Sequence, residues 1–518
     1  MPRAFQQRFV ERDLPDAWSK KYRNVILALP PGAGKTRCAR MTIERLLCVG
    51  GWDAWFLAHR VELIEQAATE LRHLSPSLYV AGRPSPQPAP LRVAGRDTLA
   101  RRDFRSLADR CLLVSDEHHH GTCETFTKLL SRFQSVYRVV YVLGLTATPY
   151  TLSGKPIPGD VIIEPVKPTE LFADGTILEP EVKGLDAPDT SRIPMARGEF
   201  VATELEQRTR KLVGNMVDEA KRFWEGYPFT VRAVSVADAH HRAERLCAAG
   251  FRAAVLHGEL PPAERDLILA RLAIGGALGS PLGLDCVVRA GNPDIIGEGW
   301  NNPSDYERVL RLRSILWPSG NPPPFVPVST LSDCAPTMSE CLYRQAECRV
   351  NRPNGNTIQT TLGPMPAVPK KFARVLSHSE NWRRFVPLRD HHTFTLDGET
   401  PSGRAPRDKH GFLSCRYCPR CLSVWPSSQA SCSCGAALAQ VKPPPEETAD
   451  RLGDVGERPK SKVAASTPQA RIEILANLWR SLARKQGRVS ERQVYAVFRS
   501  MTGQGADPSE MEQAKRKM

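Results

Sequence analysis

The stretch Asn24-Val25-Ile26-Leu27-Ala28-Leu29-Pro30-Pro31-Gly32-Ala33-Gly34-Lys35-Thr36 passes from an apolar run into a glycine-rich turn, and helical periodicity takes over at 35–48. A short apolar run bounded by Pro and Gly reads as a buried strand. A glycine turn that opens a helix aims several backbone N–H groups at one point and adds the positive end of the helix dipole. Gly32, Ala33 and Gly34 are therefore a candidate phosphate cradle. Lys35 is placed to reach β- and γ-phosphates, and the Thr36 hydroxyl to ligate Mg²⁺. The complete form of such a loop has one more Gly, five residues before Gly34, where this chain has Leu29.

Outward from this strand the alternation repeats. Residues 54–58, 111–115 and 139–145 read as further buried strands and 60–72 as a helix. The pattern restarts with strands expected at 230–236, 251–256 and 284–289, and helices at 237–249 and 261–273. Strands alternating with helices specify an α/β fold of doubly wound parallel sheets, here two in tandem. A Pro- and Gly-rich joint near 150–200 divides them into domains over 1–165 and 166–365. An irregular basic connector is expected over 366–411, a cysteine module over 412–440, a flexible linker over 441–468 and a basic helical tail over 469–518. In that tail Ile472, Leu475, Leu478, Trp479 and Leu482 share one face, and Val494, Val497 and Phe498 another. The Pro-rich stretch 317–328 reads as a solvated surface insertion.

The run Cys111-Leu112-Leu113-Val114-Ser115 ends in Asp116-Glu117-His118-His119-His120. Nucleotide hydrolysis needs an acidic station at the end of a strand beside the phosphate loop. Asp116 is placed to hold the Mg²⁺ shell and Glu117 to polarise the attacking water. The histidines offer a metal site as an alternative, but consecutive side chains diverge, which argues against it.

The 518 residues are 41% hydrophobic and 25% charged, close to ordinary globular usage, which excludes wholesale disorder. No run of eighteen apolar residues is long enough to span a bilayer, and the first residues lack a secretory apolar core. A soluble cytoplasmic protein is expected. Residues 1–365 hold 45 basic and 41 acidic side chains and 366–518 hold 26 and 15, so most of the +15 formal charge lies in the last third. A concentrated basic excess suits a polyanion, nucleic acid above all; a generally solvating surface is the alternative.

Nine of the 14 cysteines are scattered, as reduced thiols are, and five lie between Cys415 and Cys434. Cys418-Pro419-Arg420-Cys421 and Cys432-Ser433-Cys434 form two knuckles whose spacing suits a tetrahedral structural Zn²⁺, with Cys415 a spare ligand. Arg383, Arg384, Arg404, Arg407, Lys409, Arg416 and Arg420 nearby point to strand or duplex binding; protein contact is the alternative.

Other short stretches follow in order: Arg3-Ala4-Phe5-Gln6; Phe56-Leu57-Ala58-His59-Arg60-Val61-Glu62-Leu63-Ile64; Arg92-Val93-Ala94-Gly95-Arg96-Asp97-Thr98-Leu99; Thr146-Ala147-Thr148-Pro149. Then come Ser235-Val236-Ala237-Asp238-Ala239-His240; His257-Gly258-Glu259-Leu260; Glu298-Gly299-Trp300-Asn301-Asn302-Pro303; Pro336-Thr337-Met338-Ser339; and Gln345-Ala346-Glu347-Cys348-Arg349-Val350-Asn351-Arg352. With the phosphate loop and the acidic pair, this series over about 1–365 resembles superfamily 2 helicases of the DExH branch, close to restriction-enzyme Res subunits and RadD-like helicases.

The resemblance implies two RecA-like domains, ATP as substrate and Mg²⁺ as its metal. It assigns Gln6 to adenine reading, Gly299 and Gln345 to the nucleotide side of the cleft, and Arg349 and Arg352 to the γ-phosphate. His119, Thr146 and Thr148 would couple hydrolysis to domain movement, and His59, Arg60, Arg96 and Thr98 would touch nucleic acid. Three positions depart from the pattern: Cys348 stands where Gly is usual, Asn301 where Asp is, and Ala335 where an Arg commonly precedes Pro-Thr. Cys348 is expected to crowd a tight backbone. The implied function is an ATP-dependent DNA helicase or translocase in repair, recombination or replication, associated with the nucleoid. RNA is not excluded as the track. A non-unwinding motor subunit with a nuclease partner, or an adaptor binding proteins through the zinc ribbon or tail, is the reading from another class.

Overall fold

The structure is a computed structural model. It describes residues 2–59, 61–120, 123–151, 156–185, 187–190, 193–196, 199–210, 213–290, 303–317, 320–386, 388–390, 393–397, 407, 412–413, 415–426, 429–439, 494 and 507–516; for 349 and a few other helix residues it describes the main chain alone.

The apolar run forms β1 (Asn24–Ala28), and the next strands are β2 (Trp52–Ala58), β3 (Ser77–Tyr79), β4 (Leu91–Gly95), β5 (Arg110–Ser115), β6 (Val139–Thr146) and β7 (Val161–Ile163). They pair in parallel in the order β3-β4-β2-β5-β6-β1-β7. Every residue of β2 is buried, as in a sheet covered on both faces, which is why these strands read as unbroken apolar runs. The N-terminal turns Ala4–Arg8, Phe9–Asp13 and Leu14–Ser19 escaped the sequence reading. They bury Phe5, Phe9, Val10 and Leu14 in the same core as β1 and the helix Lys35–Val49.

The second sheet contains β8 (Pro180–Gly184). A short ladder of β9 (Met195–Ala196) and β10 (Glu199–Phe200) follows, then β11 (Phe229–Arg232), β12 (Ala253–Leu256), β13 (Cys286–Arg289) and β14 (Thr330–Asp333). A hairpin of β15 (Thr357–Thr360) and β16 (Gly363–Pro366) precedes β17 (Ala373–Ser377). The sheet order is β12-β13-β11-β14-β17-β8, all parallel. This is the second doubly wound unit that the alternation implied. β11 ends sooner than expected, because Ser235 caps the helix Val236–Ala248 by accepting the Asp238 N–H on its hydroxyl at 3.0 Å.

Two expectations are corrected here. The expected irregular connector over 366–411 includes regular structure among its described residues: β17 pairs between β14 and β8, and Asn381–Arg384 is helical. The Pro-rich stretch 317–328 is not solvated along its length. Phe325, Val326 and Val328 are buried, and the N–H groups of Phe325 and Val326 donate to the carbonyls of Pro366 and Ala273. Its apolar residues sit inward while its prolines lack N–H groups to satisfy, so a Pro-rich strip packs here without orphaned donors.

After β17 the cysteine module contributes β18 (Cys415–Tyr417) and β19 (Val424–Pro426), paired antiparallel. Val494 is fully buried in a cluster with Leu267, Tyr306 and Phe325, and Pro508–Arg516 is helical. The expected linker at 441–468 and the helical face at 472–482 lie outside the described residues. Among the described residues no helix is long and apolar enough to cross a membrane.

Candidate nucleotide site and cysteine cluster

The phosphate loop, the acidic pair and Thr146 all lie at the carboxyl ends of adjacent strands β1, β5 and β6, where open parallel sheets place their ligand crevices. Gly34, at φ +96°, opens the helix Lys35–Val49; Gly32 has φ +89°. Thr36 is half-buried in the first turn of that helix. Lys35 Nζ donates to the Leu29 carbonyl at 3.3 Å. Leu29 thus serves through its backbone, and its side chain is buried in the first-domain core. Gln6, fully buried, braces the loop: its Nε2 donates to the Ala33 carbonyl at 3.1 Å and its Oε1 accepts the Arg3 N–H at 3.0 Å. A Cβ on Gly34 would lie 2.5 Å from that amide nitrogen.

Asp116 follows β5, and its carboxylate accepts the Glu117 N–H at 3.1 Å. Glu117 has φ +44°, an uncommon left-handed conformation for a residue with a side chain. Burial and the Glu117 charge raise the Asp116 pKa above the ordinary carboxyl range, with Lys35 opposing. Burial would raise Glu117 too, but hydrogen bonding to His119 and the charges of Lys35, His119 and His59 outweigh it and keep Glu117 ionised. Two neighbouring carboxyls are thereby driven apart in proton affinity. Crowded acids beside a single lysine fit a divalent cation, which is the role expected of Asp116 with Thr36.

His119 joins the parts. Its Nδ1 lies 3.2 Å from Glu117 Oε2 and 3.5 Å from Thr146 Oγ1, and its Nε2 lies 3.4 Å from Gln345 Nε2. One ring nitrogen thus faces the Glu117 carboxylate and the Thr146 hydroxyl, and the other faces the Gln345 amide. Thr146 Oγ1 donates to the Thr148 carbonyl at 2.8 Å. His118 turns the other way, into the core against Phe126 and Gly144, and burial pushes its pKa down to about 4. His118 and His119 thus point in different directions.

From the second sheet, Gln345 lies on the helix Glu340–Glu347, Arg349 in the 3-10 turn Cys348–Val350, and Arg352 just beyond. Arg352 packs against the phosphate loop: its Cγ is 3.3 Å from where a Gly32 Cβ would stand. Cys348 has φ −72°, an ordinary right-handed conformation, and lines a cavity with Pro30 and Pro31. The backbone conformation at 348 is open to any residue, while the side chain itself is buried. Ala335, where an Arg is usual, offers its carbonyl to Asn381 Nδ2 at 3.1 Å. Gly299 and Asn301 lie outside the described residues.

The strand-contact candidates are less concentrated. His59, at the end of β2, acts electrostatically on Glu117. Arg96 and Thr98 sit on the turn Arg96–Leu99 after β4, with Arg96 3.8 Å from Asp97. Arg60 lies outside the described residues. Sequence reasoning missed the Thr148 hydroxyl donating to Cys341 Sγ at 3.0 Å, and Ile177 packing on Gly32. Neither carries a local signal.

The four sulfurs of Cys418, Cys421, Cys432 and Cys434 lie within 4.8 Å of one another, with Cys418–Cys434 at 3.5 Å and Cys421–Cys432 at 3.4 Å. Zn–S bonds of about 2.3 Å in a tetrahedron place sulfurs roughly 3.8 Å apart, so the donor set fits zinc. Burial opposes ionisation of Cys432, but hydrogen bonds from the Cys434 N–H and neighbouring thiols bring its pKa down to about 6. Cys415 stands apart, its thiol directed at the Leu413 and Trp382 carbonyls.

The arginines proposed for nucleic acid divide. Arg384 is buried, pairing with Glu380 at 3.2 Å and packing over Phe200. Arg383 stacks on Phe412 at 4.3 Å. The expected role in strand binding is corrected for Arg384, which is interior; Arg383 is half-buried. Arg420 is exposed.

Residues 1–151 match the family described as Type III restriction enzyme, res subunit. A 51.5 kDa protein of Lactococcus phage (isolate 7-9) is 25% identical over 411 residues, spanning 78% of this chain and 76% of that one. Among solved structures, an ATP-dependent Type ISP restriction-modification enzyme, LlaBIII bound to DNA, aligns with TM-score 0.48 and 13% identity over 73% of this chain but 27% of its own. S. cerevisiae Dbp5 bound to RNA and ADP BeF3 aligns with TM-score 0.42 and 13% identity, over 73% of this chain and 83% of that one. With the glycine-rich loop, acidic pair and cross-cleft arginine placed together, the chain resembles superfamily 2 helicases, and its residues 1–151 match the restriction-enzyme res-subunit family.

Proposed function

We propose that the chain is an ATP-dependent DNA helicase or translocase, working in repair, recombination or replication. The observation that carries this reading is contact between the two sheets' elements across the nucleotide loop, with Arg352 against Gly32 and Gln345 on His119. DNA is preferred as the track because restriction enzymes act on DNA and the family match is to their res subunit. The proposed division is a first motor domain over 1–165 and a second from 166, carried past 365 to include β17.

In this reading the backbone N–H groups of Gly32, Ala33 and Gly34 and the Lys35 ammonium bind the phosphates, while Gln6 lies beside the adenine. Thr36 and Asp116 would hold Mg²⁺, which would supply neutralisation of phosphate charge. Glu117, held ionised by His119, orients the attacking water and takes its proton. Arg349 and Arg352 stabilise charge on the transferring phosphoryl group, so turnover requires a closed cleft. Gln345, His119, Thr146 and Thr148 report cleft state between the halves. His59, Arg60, Arg96 and Thr98 are the residues assigned to strand contact, and Cys418, Cys421, Cys432 and Cys434 would hold a structural Zn²⁺. The test is ATPase activity across single-stranded, duplex and forked DNA and RNA, with strand displacement measured beside a Lys35→Ala control. Stimulation by RNA alone would replace DNA as the track; ATPase without displacement would favour a translocating motor subunit.

A further inference from the structure

The turn that carries Arg352 is held from behind by a buried lysine. Lys370 is 7% exposed, and its ammonium donates to the Val328 carbonyl at 2.6 Å and to the Val350 carbonyl. Val350 closes the 3-10 turn Cys348–Val350, two residues before Arg352. Carbonyls at the C-terminal end of a helical turn lack an intrahelical partner and carry the negative end of its dipole, so a donor cation is favourable there. The next carbonyl, that of Asn351, accepts the Leu178 N–H at 2.7 Å, and the Lys370 main-chain N–H returns to Asn354 at 3.1 Å. One side chain thus ties the turn to the approach of β14. Burial first, and then the Arg352 charge, push the Lys370 pKa well below the usual lysine range. A neutral amine keeps both hydrogen bonds, so the tie does not require the charge.

We infer that Lys370 is a positioning residue for hydrolysis: by fixing the Val350 carbonyl it sets where Arg352 enters the cleft against Gly32. The inference rests on the reading of Arg352 as the arginine that bridges the cleft. It is tested in the full chain with Lys370→Met, Arg352→Ala and the double variant, by steady-state ATPase with single-stranded DNA and, in a parallel arm, RNA. Lys370→Met should lower kcat roughly tenfold with KM for ATP within about twofold, and should add no further loss in the Arg352→Ala background. A silent Lys370→Met beside an inactive Arg352→Ala would overturn this inference alone. A fully active Arg352→Ala would overturn the site reading and the inference with it. Equal loss in both backgrounds would make Lys370 a stabilising residue and nothing more. If Lys370→Met does not fold, Lys370→Gln, which keeps an amide NH₂ on a shorter side chain, goes through the same cycle with a severalfold loss expected.

Discussion

Glu117 occupies a left-handed conformation at φ +44° and is kept ionised by a histidine that also touches the second domain. Strain of this kind persists where surrounding contacts over-determine it. Glu117→Gln should bind ATP normally and lose turnover by roughly 10²–10⁴-fold; single-turnover hydrolysis at the wild-type rate would remove Glu117 from the chemistry. Gly34→Ala is a sharper perturbation, because a methyl group at φ +96° would meet the Gln6 amide at 2.5 Å. It should destabilise the first domain by ~1–3 kcal/mol and abolish tight nucleotide binding, both readable from melting with and without ATP. At this scale the sequence was informative for the loop and the acids, since their neighbours lie within a few residues. It was silent on Cys341 and Lys370, whose partners Thr148, Val328 and Val350 are brought near by the fold.

The knuckle that holds β18 and β19 is built onto an edge of the second sheet. The Gly184 N–H donates to the Leu422 carbonyl at 2.9 Å, Lys183 Nζ donates to Ser423 Oγ at 2.9 Å, and Trp382 and Val424 close over Gly184. Chelation should therefore release about one Zn²⁺ per chain and also expose β8 to hydrogen exchange, whereas an independent tethered module would leave β8 protected. Glu181 on the same strand accepts from Arg374 at 3.0 Å and from Lys183; burial opposes its ionisation, but these partners hold its pKa below 4.5. A depressed carboxyl stabilises above its unfolded value and loses that contribution as pH falls through the folded one. The melting difference between wild type and Glu181→Gln should thus shrink as the pH is lowered beneath the ordinary glutamate range. β1, β2, β5 and β6 were legible because both their faces are buried. β17 was not, because Lys370, Lys371 and Arg374 gave it a charged look; Arg374 is in fact neutralised by Glu181 and Glu225 and packed on Phe372.

Across the whole molecule the +15 charge does not act as one field. Arg384 belongs to the interior, so Arg384→Ala should lower stability by about 3 kcal/mol. Arg416→Ala with Arg420→Ala should instead flatten the dependence of DNA affinity on salt, by up to about two counterions released; an unchanged slope would place the strand elsewhere. The contact between His119 and Gln345, 226 residues apart in sequence, has a consequence for how the two ligands must behave. A side chain read from both halves makes cleft closure a shared equilibrium. Linkage then requires that the factor by which nucleic acid tightens ATP equal the factor by which ATP tightens nucleic acid. Weakening that pair with Gln345→Ala should shrink both factors together and by the same ratio.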